Sequence, residues 1–467
     1  MKYVSIIGLL LILIGCNEED SSVSFFGGEI INPNERYVTL LKDNVVIDSI
    51  QLDDNNRFFI KLNNPTEGIY VFKHYPESQY VIIEKGDSIL MRLNTVEFDE
   101  SLVFSGIGAE KNNFIVEMFL INEDEESQIL DFYSLEANDF VKKMDSLKAM
   151  KWEQYENLLT NYTISENSKL IAKASIDFPY LDKMEMYPYM YKKYHKLDHI
   201  KKLPDQFYSY RKNINYNDAH LKTFRPYIYY LNVYFNNLSY KECKKSCHEE
   251  DYMVEETLHY HTHKLKMIDS VIKESKIKDY LFKNAAYAYM AKNYGSDKNS
   301  LFIKAFNKYG ADVESNNDIN RLHTFAQKLR PGNPIPKVSV LKADGSKIYV
   351  DSFIKNKNTV YYFWSMNQRK HMQKINKRIN ELRSSYPDHN FIGININEDH
   401  QKWLNTLHAF NFDQNANVQC VKFKEISEKL AIYGMNKAII VKNDGTIINA
   451  FADVYHPHFE EQLKTIK

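Results

Sequence analysis

The chain lacks an excess of charge of either sign. Its 60 basic and 61 acidic residues leave a formal net charge of -1, and we find no basic stripe with interleaved aromatic residues. Because a phosphate backbone attracts proteins through such surfaces, the composition argues against a nucleic-acid partner. The chain contains 44% hydrophobic and 14% aromatic residues, which is enough to form folded cores, so we do not expect it to be disordered overall. A chain of 467 residues is too long to fold around a single hydrophobic core, so two or three domains are predicted.

Long apolar runs are also scarce, and the longest one opens the chain. The segment MKYVSIIGLLLILIGC carries one positive charge, an apolar stretch of signal-peptide length and Gly15 just before Cys16. It is too short to span a bilayer comfortably. Its end, LIGC, resembles the lipobox of bacterial lipoproteins, in which the cysteine is diacylated and becomes the mature N-terminus. The resemblance implies a signal peptide over residues 1–16 and a lipid anchor at Cys16; a plain cleaved signal or a short anchor helix is the alternative.

Residues 17–24 are predicted to form an acidic tether. Asn17 is compatible with sorting to the outer membrane, and the run Glu18-Glu19-Asp20 resembles acidic export signals that send some lipoproteins to the outer face. An ordinary solvated tether explains these acids equally well. We therefore expect a lipid-anchored protein of the cell envelope, in the outer membrane and facing the periplasm or the cell surface. The membrane is then a partner through the lipidated N-terminus.

Residues 25–108 have the pattern of a β-sandwich-like domain. Short β-branched or aromatic runs alternate with turn formers such as Lys42-Asp43-Asn44, which is typical of an antiparallel module. The runs are YVTLL, VVIDSI, RFFIKL, IYVFKH, YVIIE and SILMRL. The region resembles an uncharacterised β domain that precedes thioredoxin-like domains in many envelope lipoproteins, including its EKGDSI segment. No reaction is known for that domain, so none is implied here.

Residues 109–329 are predicted to be helical. Glycine and proline are few, and apolar residues recur every three or four positions, as in FVKKMDSLKAMKWEQYENLL. Two segments, MEMYPYMYKKYHKL and RPYIYYLNVYFNNLSY, are dense in tyrosine. A peptide- or sugar-binding face is one explanation; the favoured one is amphipathic core with the hydroxyls at its rim.

Residues 330–467 are predicted to form a mixed sheet covered on both faces. Prolines at 331, 334 and 336 end the helices, and hairpins are expected at Asp344-Gly345 and Asp444-Gly445. Between them, NTVYYFW and NFIGINI have the composition of buried strands, followed by helices over 366–385 and QKWLNTLHAF.

The order of these pieces resembles the thioredoxin-fold domains of periplasmic TlpA and ResA-type proteins. The resemblance rests on PGNPIP, on Phe363-Trp364 after the strand, on GININED with the following Trp403, and on the final Asp-Gly hairpin. It implies a multidomain α+β protein: an N-terminal antiparallel β domain, a helical middle region and a C-terminal thioredoxin-like α/β domain.

This domain lacks the chemistry of the family that it resembles. Aligning FWSMNQRKH with the family pattern FWATWCPPC places Gln368 at the attacking cysteine and His371 at the resolving one, and neither can form a mixed disulfide. The family's cis-proline position is Asn436, where a cis bond would cost roughly 2.5 to 4 kcal/mol, so a trans or rearranged loop is predicted. The family's nearby acid aligns with Gln373 or Lys374. No catalytic residue is therefore predicted.

The loop residues allow two other roles. His371 could act as a general base, but without an evident partner it is expected to be a surface residue. The group Gln368 to His371 at a helix N-terminus could cradle an anion such as a carboxylate, although a plain solvated helix end is favoured.

The remaining cysteines leave three alternatives open. Cys420 has a strand-like context and is expected to be a buried small hydrophobe. Cys243 and Cys247 form a C-x-x-x-C pair that could be bridged at a helix end or remain as thiols. His259 and His263 follow at a spacing close to a zinc site, but the surrounding sequence lacks the features of a zinc finger. No metal and no other cofactor is predicted.

The lipobox-like segment and the absence of cysteine at positions 368 and 371 together predict a membrane-anchored envelope lipoprotein with a redox-inactive thioredoxin-like domain. Its expected role is to bind or scaffold a protein, a peptide or a small ligand, and it is not expected to be an enzyme. The alternative is a thiol-disulfide oxidoreductase of the TlpA and ResA type that uses the pair Cys243 and Cys247.

Overall fold

The computed structural model describes most of the chain. The described ranges are 22–75, 77–246, 257–292, 298–310, 313–366, 368–432, 434–456 and 458–466. Cys16 and Cys247 lie outside them, and so do the predictions that depend on those two residues. The chain divides into two compact units, which are Met1–Gln128 with Asp145–Asp177, and Ile129–Met144 with Phe178–Lys467.

The first unit contains two four-stranded sheets. Their strands are β1 (Val23–Ile31), β2 (Tyr37–Lys42), β3 (Val45–Gln51), β4 (Arg57–Asn63), β5 (Gly68–His74), β6 (Glu77–Ile83), β7 (Ser88–Asn94) and β8 (Val103–Ile107). The sheet orders are β4-β1-β7-β8 and β3-β2-β5-β6. Side chains alternate strictly in β4, where Phe58, Ile60 and Leu62 are buried and their neighbours are exposed. The inward residues of both sheets join in one apolar core, so this region is a sandwich, as predicted.

The sandwich differs from the prediction in one pairing. We expected antiparallel strands throughout, but β1 is antiparallel only to β4 and runs parallel to β7. β6, which precedes β7 in the chain, belongs to the other sheet. β7 therefore does not pair with it and lies instead beside β1, with the same direction. Such a long-range choice is not visible in the local spacing of apolar residues.

A buried ion cluster connects the sandwich to the helices of the same unit. Lys111 Nζ lies 2.8 Å from a carboxylate oxygen of Glu84 and 2.8 Å from one of Asp87. Glu84 also accepts hydrogen bonds from the hydroxyls of Ser165 and Ser168. Burial raises the pKa of Glu84, but the hydrogen bonds from Lys111 and the two serines outweigh it and hold this pKa below its ordinary value.

The middle of the chain is helical, as predicted. The helices are α1 (Ala109–Phe132), α2 (Ala137–Asn161), α3 (Glu166–Tyr194), α4 (Arg225–Ser246), α5 (Leu258–Val271), α6 (Ser275–Lys292), α7 (Lys298–Tyr309) and α8 (Asn316–Lys328). Within the described ranges, none of the helices is long and apolar enough to cross a bilayer.

Many tyrosines of the helical region are core residues, but their hydroxyls are not all at its rim. Tyr187, Tyr227 and Tyr230 are completely buried. The Tyr187 hydroxyl donates to the Leu135 carbonyl at 2.8 Å, and that of Tyr227 donates to the Asn215 carbonyl at 2.7 Å. The rings of Tyr187 and Tyr227 therefore pack as apolar groups while their hydroxyls complete the backbone hydrogen bonding.

The C-terminal region forms a seven-stranded mixed sheet. Its elements are β9 (Ser339–Leu341), β10 (Lys347–Tyr349), β11 (Thr359–Trp364), α9 (Arg369–Ser385), β12 (Asn390–Asn395), α10 (His400–Ala409), β13 (Asn417–Cys420), α11 (Phe423–Lys429), β14 (Lys437–Val441), β15 (Ile447–Asp453) and α12 (Phe459–Thr465). The strand order is β10-β9-β13-β12-β11-β14-β15. Both predicted hairpins are present, since β9 pairs with β10 and β14 with β15.

Strand directions give this domain a thioredoxin-like topology. β11 connects through α9 to the parallel strand β12, and β14 pairs antiparallel with β11 on its other side. Separate apolar clusters cover the two faces of the sheet, as the sequence predicted. All six residues of β11 are buried, which a central strand covered on both faces requires.

Replacing Lys111 with Met should lower the free energy of unfolding by about 3 to 5 kcal/mol, because Glu84 and Asp87 would remain buried without their cation. Urea denaturation followed by circular dichroism measures the change. Lys169→Met is the matched control in the same unit, because the partner of Lys169, Glu166, is 89% exposed, and it should change stability little. Equal losses in the two variants would contradict a structural role for the buried cluster.

Candidate functional site

The candidate site is the loop between β11 and α9. β11 is an interior strand of its sheet, between β12 and β14, so its carboxyl end places the loop away from both edges of the sheet. Trp364, the last residue of β11, is completely buried and stacks on Phe412 with ring centroids 4.6 Å apart. Its Nε1–H donates to Asn417 Oδ1 at 3.1 Å. The chain is therefore firmly held at the point where the loop begins.

The loop itself is fixed by one side chain from the neighbouring strand end. Asn397 Oδ1 accepts hydrogen bonds from the Ser365 hydroxyl and from the Met366 backbone N–H, both at 2.9 Å. The Gln368 N–H then donates to the Ser365 carbonyl at 3.2 Å, which turns the chain into α9. The sequence analysis did not identify Asn397; an amide side chain just after a buried strand was the available signal.

Gln368 occupies the N-cap position of α9 and makes no side-chain capping bond. It is exposed, as are the next two residues, Arg369 and Lys370. The first backbone N–H groups of a helix have no intrahelical acceptor, and the helix dipole makes this end positive. Two cationic side chains therefore lie at a helix end that already favours anions.

His371 is half-buried, which corrects the prediction of a surface residue. Burial lowers the pKa of its imidazole, and the Asn436 side chain partly opposes that effect, although no hydrogen bond of good geometry joins the two residues. Native His371 therefore binds its proton less tightly than an unfolded chain does. Its contribution makes the folded state less stable as pH falls from the ordinary value of 6.5 towards the native pKa.

Asn436 is the residue that faces His371, so the structure brings together two of the positions selected from the sequence. Its carbonyl accepts a hydrogen bond from the Val454 N–H at 3.0 Å. The next residue, Lys437, is buried and donates from Nζ to the carbonyls of Leu430 and Ala431 at 2.7 and 2.8 Å. This ammonium thus holds the segment that carries Asn436 against the C-terminal end of α11.

Lys437 is a structural residue that the sequence analysis missed. Its Nζ lies 3.8 Å from the centre of the Phe451 ring, and burial lowers its pKa well below 10.5. The acceptors are helix-terminal carbonyls, which carry partial negative charge. A lysine at the start of a buried strand was the only local signal of this role.

Cys420 lies in β13 and is buried, as expected from its context. Its Sγ is 3.9 Å from the Asn397 carbonyl oxygen. Burial, and secondarily Glu398, raise the pKa of this thiol to about 12. Because the thiolate is the nucleophile in disulfide exchange, Cys420 is not poised for that chemistry at neutral pH.

Cys243 is buried in α4 beside Tyr240 and Tyr260. His259 and His263 lie on α5, whose first turn is capped by Thr257. Across the described parts of the chain, no group of three or more His, Cys, Asp and Glu side chains is arranged to hold a metal. The proposed partner Cys247 is outside those parts, so the bridged and zinc alternatives stay as sequence predictions.

Comparisons with known proteins identify similar solved structures but no family. No family model and no curated protein matches the chain. A Bacteroides vulgatus structure described as a candidate thiol-disulfide oxidoreductase is 18% identical, with a TM-score of 0.27, over 30% of this chain and 99% of its own. A similarly described C-terminal domain from Bacteroides thetaiotaomicron is 23% identical, with a TM-score of 0.26, over 30% and 97%.

A thiol-disulfide oxidoreductase from Bacteroides fragilis is 17% identical, with a TM-score of 0.24, and the match covers 28% of this chain and 98% of that one. Each likeness spans the length of one domain. The thioredoxin-like assignment rests on the strand order and connections described above.

Replacing Asn436 with Ala should move the titration of His371 to lower pH, because the native side chain raises the pKa that burial has lowered. The measurement is the imidazole chemical shift as a function of pH by NMR. His389 is an internal control, because burial also lowers its pKa but Asn436 does not contribute to the shift. An unchanged His371 midpoint would mean that the two side chains do not interact in solution.

Proposed function

We propose that this protein is a membrane-anchored envelope lipoprotein whose thioredoxin-like domain is redox-inactive and binds a protein, a peptide or a small ligand. This proposal rests mainly on the residues at the N-terminus of α9, where Gln368 and His371 occupy the positions that the resemblance assigns to the two cysteines. Disulfide exchange needs a thiolate at that point, and neither an amide nor an imidazole can supply one.

The scaffold around the loop supports a binding role. Asn397 fixes the loop, and Lys437 fixes the facing segment. Surfaces held in one conformation before binding lose less conformational entropy when a ligand arrives. A loop whose start is held by such contacts is therefore suited to recognition.

The charge of the helix end favours a ligand that carries a carboxylate. Arg369 and Lys370 are exposed there, and His371 adds a ring whose lowered pKa leaves it uncharged at neutral pH. A carboxylate placed before α9 would meet unpaired backbone N–H groups and two cations. The C-terminal carboxylate of a peptide or an acidic side chain of a partner has this chemistry.

The membrane anchor is proposed from the sequence alone. Cys16 follows the apolar run in the position of a lipobox cysteine, and the acidic tether continues from it. Acylation at this residue would hold the protein at the envelope, most simply in the outer membrane facing the periplasm or the cell surface.

An insulin-reduction assay tests redox inactivity. The wild-type protein should show no more turbidity than the buffer blank, because the loop holds no thiol and the Cys420 thiol is protonated. A thioredoxin with an intact C-x-x-C is the positive control. Reduction by the wild type that disappears in Cys243→Ser/Cys247→Ser would overturn the proposal in favour of the oxidoreductase alternative.

Intact mass spectrometry of the membrane-extracted mature protein tests the anchor. We expect a chain that begins at Cys16 with the added mass of its acyl groups, and a Cys16→Ser variant that is neither acylated nor processed at this site. A mature chain of plain peptide mass would remove the lipid anchor from the proposal without affecting the binding role of the C-terminal domain.

A further inference from the structure

The outer face of the sheet β4-β1-β7-β8 has an ordered arrangement of side chains. Residues directly opposite one another in neighbouring strands lie on the same face, so the registers define rows across the sheet. From the beginning of β1, the three rows are Lys61-Phe25-Ser88-Ile107, Phe59-Gly27-Leu90-Ser105 and Arg57-Glu29-Arg92-Val103. We call this set the outer face. It measures about 14 Å in each direction by the spacings of a β-sheet.

Large apolar side chains on the outer face are exposed to solvent. Phe59 is 58% exposed, Leu90 48%, Ile107 61% and Val103 58%. The alternate residues of the same strands form the sandwich core, and the exposed side chains are not part of it. Several large apolar side chains exposed together on one sheet face indicate an interaction surface.

Gly27 shapes the centre of the outer face. A Cβ at this position would lie 3.0 Å from a ring carbon of Phe59. With hydrogen there instead, the Phe59 ring lies across β1 and stacks on Phe25, with centroids 5.4 Å apart. Phe25 and Phe59 therefore form one apolar surface across β1 and β4.

Cations border this apolar surface. Lys61 stands at the end of the first row, and Arg57 and Arg92 flank Glu29 in the third. Three positive charges against one negative charge leave the outer face with a net charge of +2. None of these four side chains forms an ion pair within the described residues, so their charges are available to an external partner.

We propose that the outer face lies against the phospholipid surface of the membrane. An apolar patch with Phe and Leu, bordered by Lys and Arg, is the combination that enters the boundary between headgroups and acyl chains. Anionic headgroups complement the net positive charge. This proposal depends on the lipid anchor of the proposed function, which brings the sandwich close to the membrane. The apolar and cationic side chains of the outer face supply the contacts with lipid.

The tether places the outer face within reach of the membrane. Residues 17–22 connect the proposed acylated Cys16 to the start of β1 at Val23. Six extended residues span at most about 20 Å, which is roughly one and a half times the width of the outer face. The rows that carry Phe25, Ile107, Phe59 and Leu90 are the two nearest to that attachment point. A connection of this length keeps the sandwich close to the bilayer, and this position favours an orientation in which an apolar face is turned towards the lipid.

The test uses a chain that starts at Asn17, so that binding does not depend on acylation and can succeed or fail independently of the anchor. Vesicles of phosphatidylcholine alone, and of phosphatidylcholine with phosphatidylglycerol, are sedimented with the protein. We expect binding to the mixed vesicles that weakens with salt. Phe59→Ser/Leu90→Ser should reduce it at least about tenfold through lost apolar contact. Arg57→Gln/Arg92→Gln should remove the preference for the anionic lipid.

The matched control is Val46→Ser/Ile47→Ser on β3, because these side chains are 56% and 48% exposed and lie outside the outer face. It should leave binding within about twofold of the wild type. An equal loss in the control, or no wild-type binding to either vesicle, would overturn the proposal. So would a dimer, detected by sedimentation velocity, that Phe59→Ser/Leu90→Ser dissociates while vesicle binding is absent, because the outer face would then meet a second copy.

A second measurement guards against a folding defect in the double variants. Leu90→Trp and Val46→Trp each place one indole at an exposed position, the first on the outer face and the second on β3. With brominated lipids in the vesicles, fluorescence quenching should be strong for Leu90→Trp and weak for Val46→Trp, after subtraction of the wild-type signal. Equal quenching would contradict an orientation with the outer face towards the lipid.

Discussion

Complete burial of β11 is the constraint on which the C-terminal domain depends. A strand whose six side chains are all buried must lie in the interior of a sheet that is covered on both faces. That requirement puts β12 and β14 on its two sides and the helices above and below. It also determines that the chain leaves the sheet at Trp364 and enters α9 opposite the segment before β14. The position of the loop between β11 and α9 therefore follows from the packing of the core.

The sequence revealed those features that depend on neighbouring residues. The Asp-Gly turns identified both hairpins, and the run YYFW identified a buried strand, because turn chemistry and local composition determine them. The parallel pairing of β1 with β7 was missed, since it depends on which sheet each strand joins. At the candidate site, His371 and Asn436 were selected by position in the chain, whereas Asn397 and Lys437 act through contacts that only the folded chain creates.

The two sheets of the N-terminal sandwich use their residues differently on their two sides. Inward side chains complete one apolar core, and Lys111 with its two carboxylates joins that core to the neighbouring helices of the same unit. The outward residues of β4, β1 and β7 contribute nothing to this core. Alternation along a strand lets one segment serve folding with one set of side chains and recognition with the other.

The start of the loop after β11 is held by Asn397, whose side-chain oxygen accepts hydrogen bonds from the Ser365 hydroxyl and the Met366 backbone N–H. The conformation is thus set by groups that precede positions 368 and 371. Selection for stable folding would place few demands on those two residues, and they are open to replacement while the backbone stays as it is. Under the proposed function, the identity of the residues at positions 368 and 371 and the persistence of the surrounding architecture are therefore independent, so that substitutions at two sites change what the domain recognises while its backbone is retained.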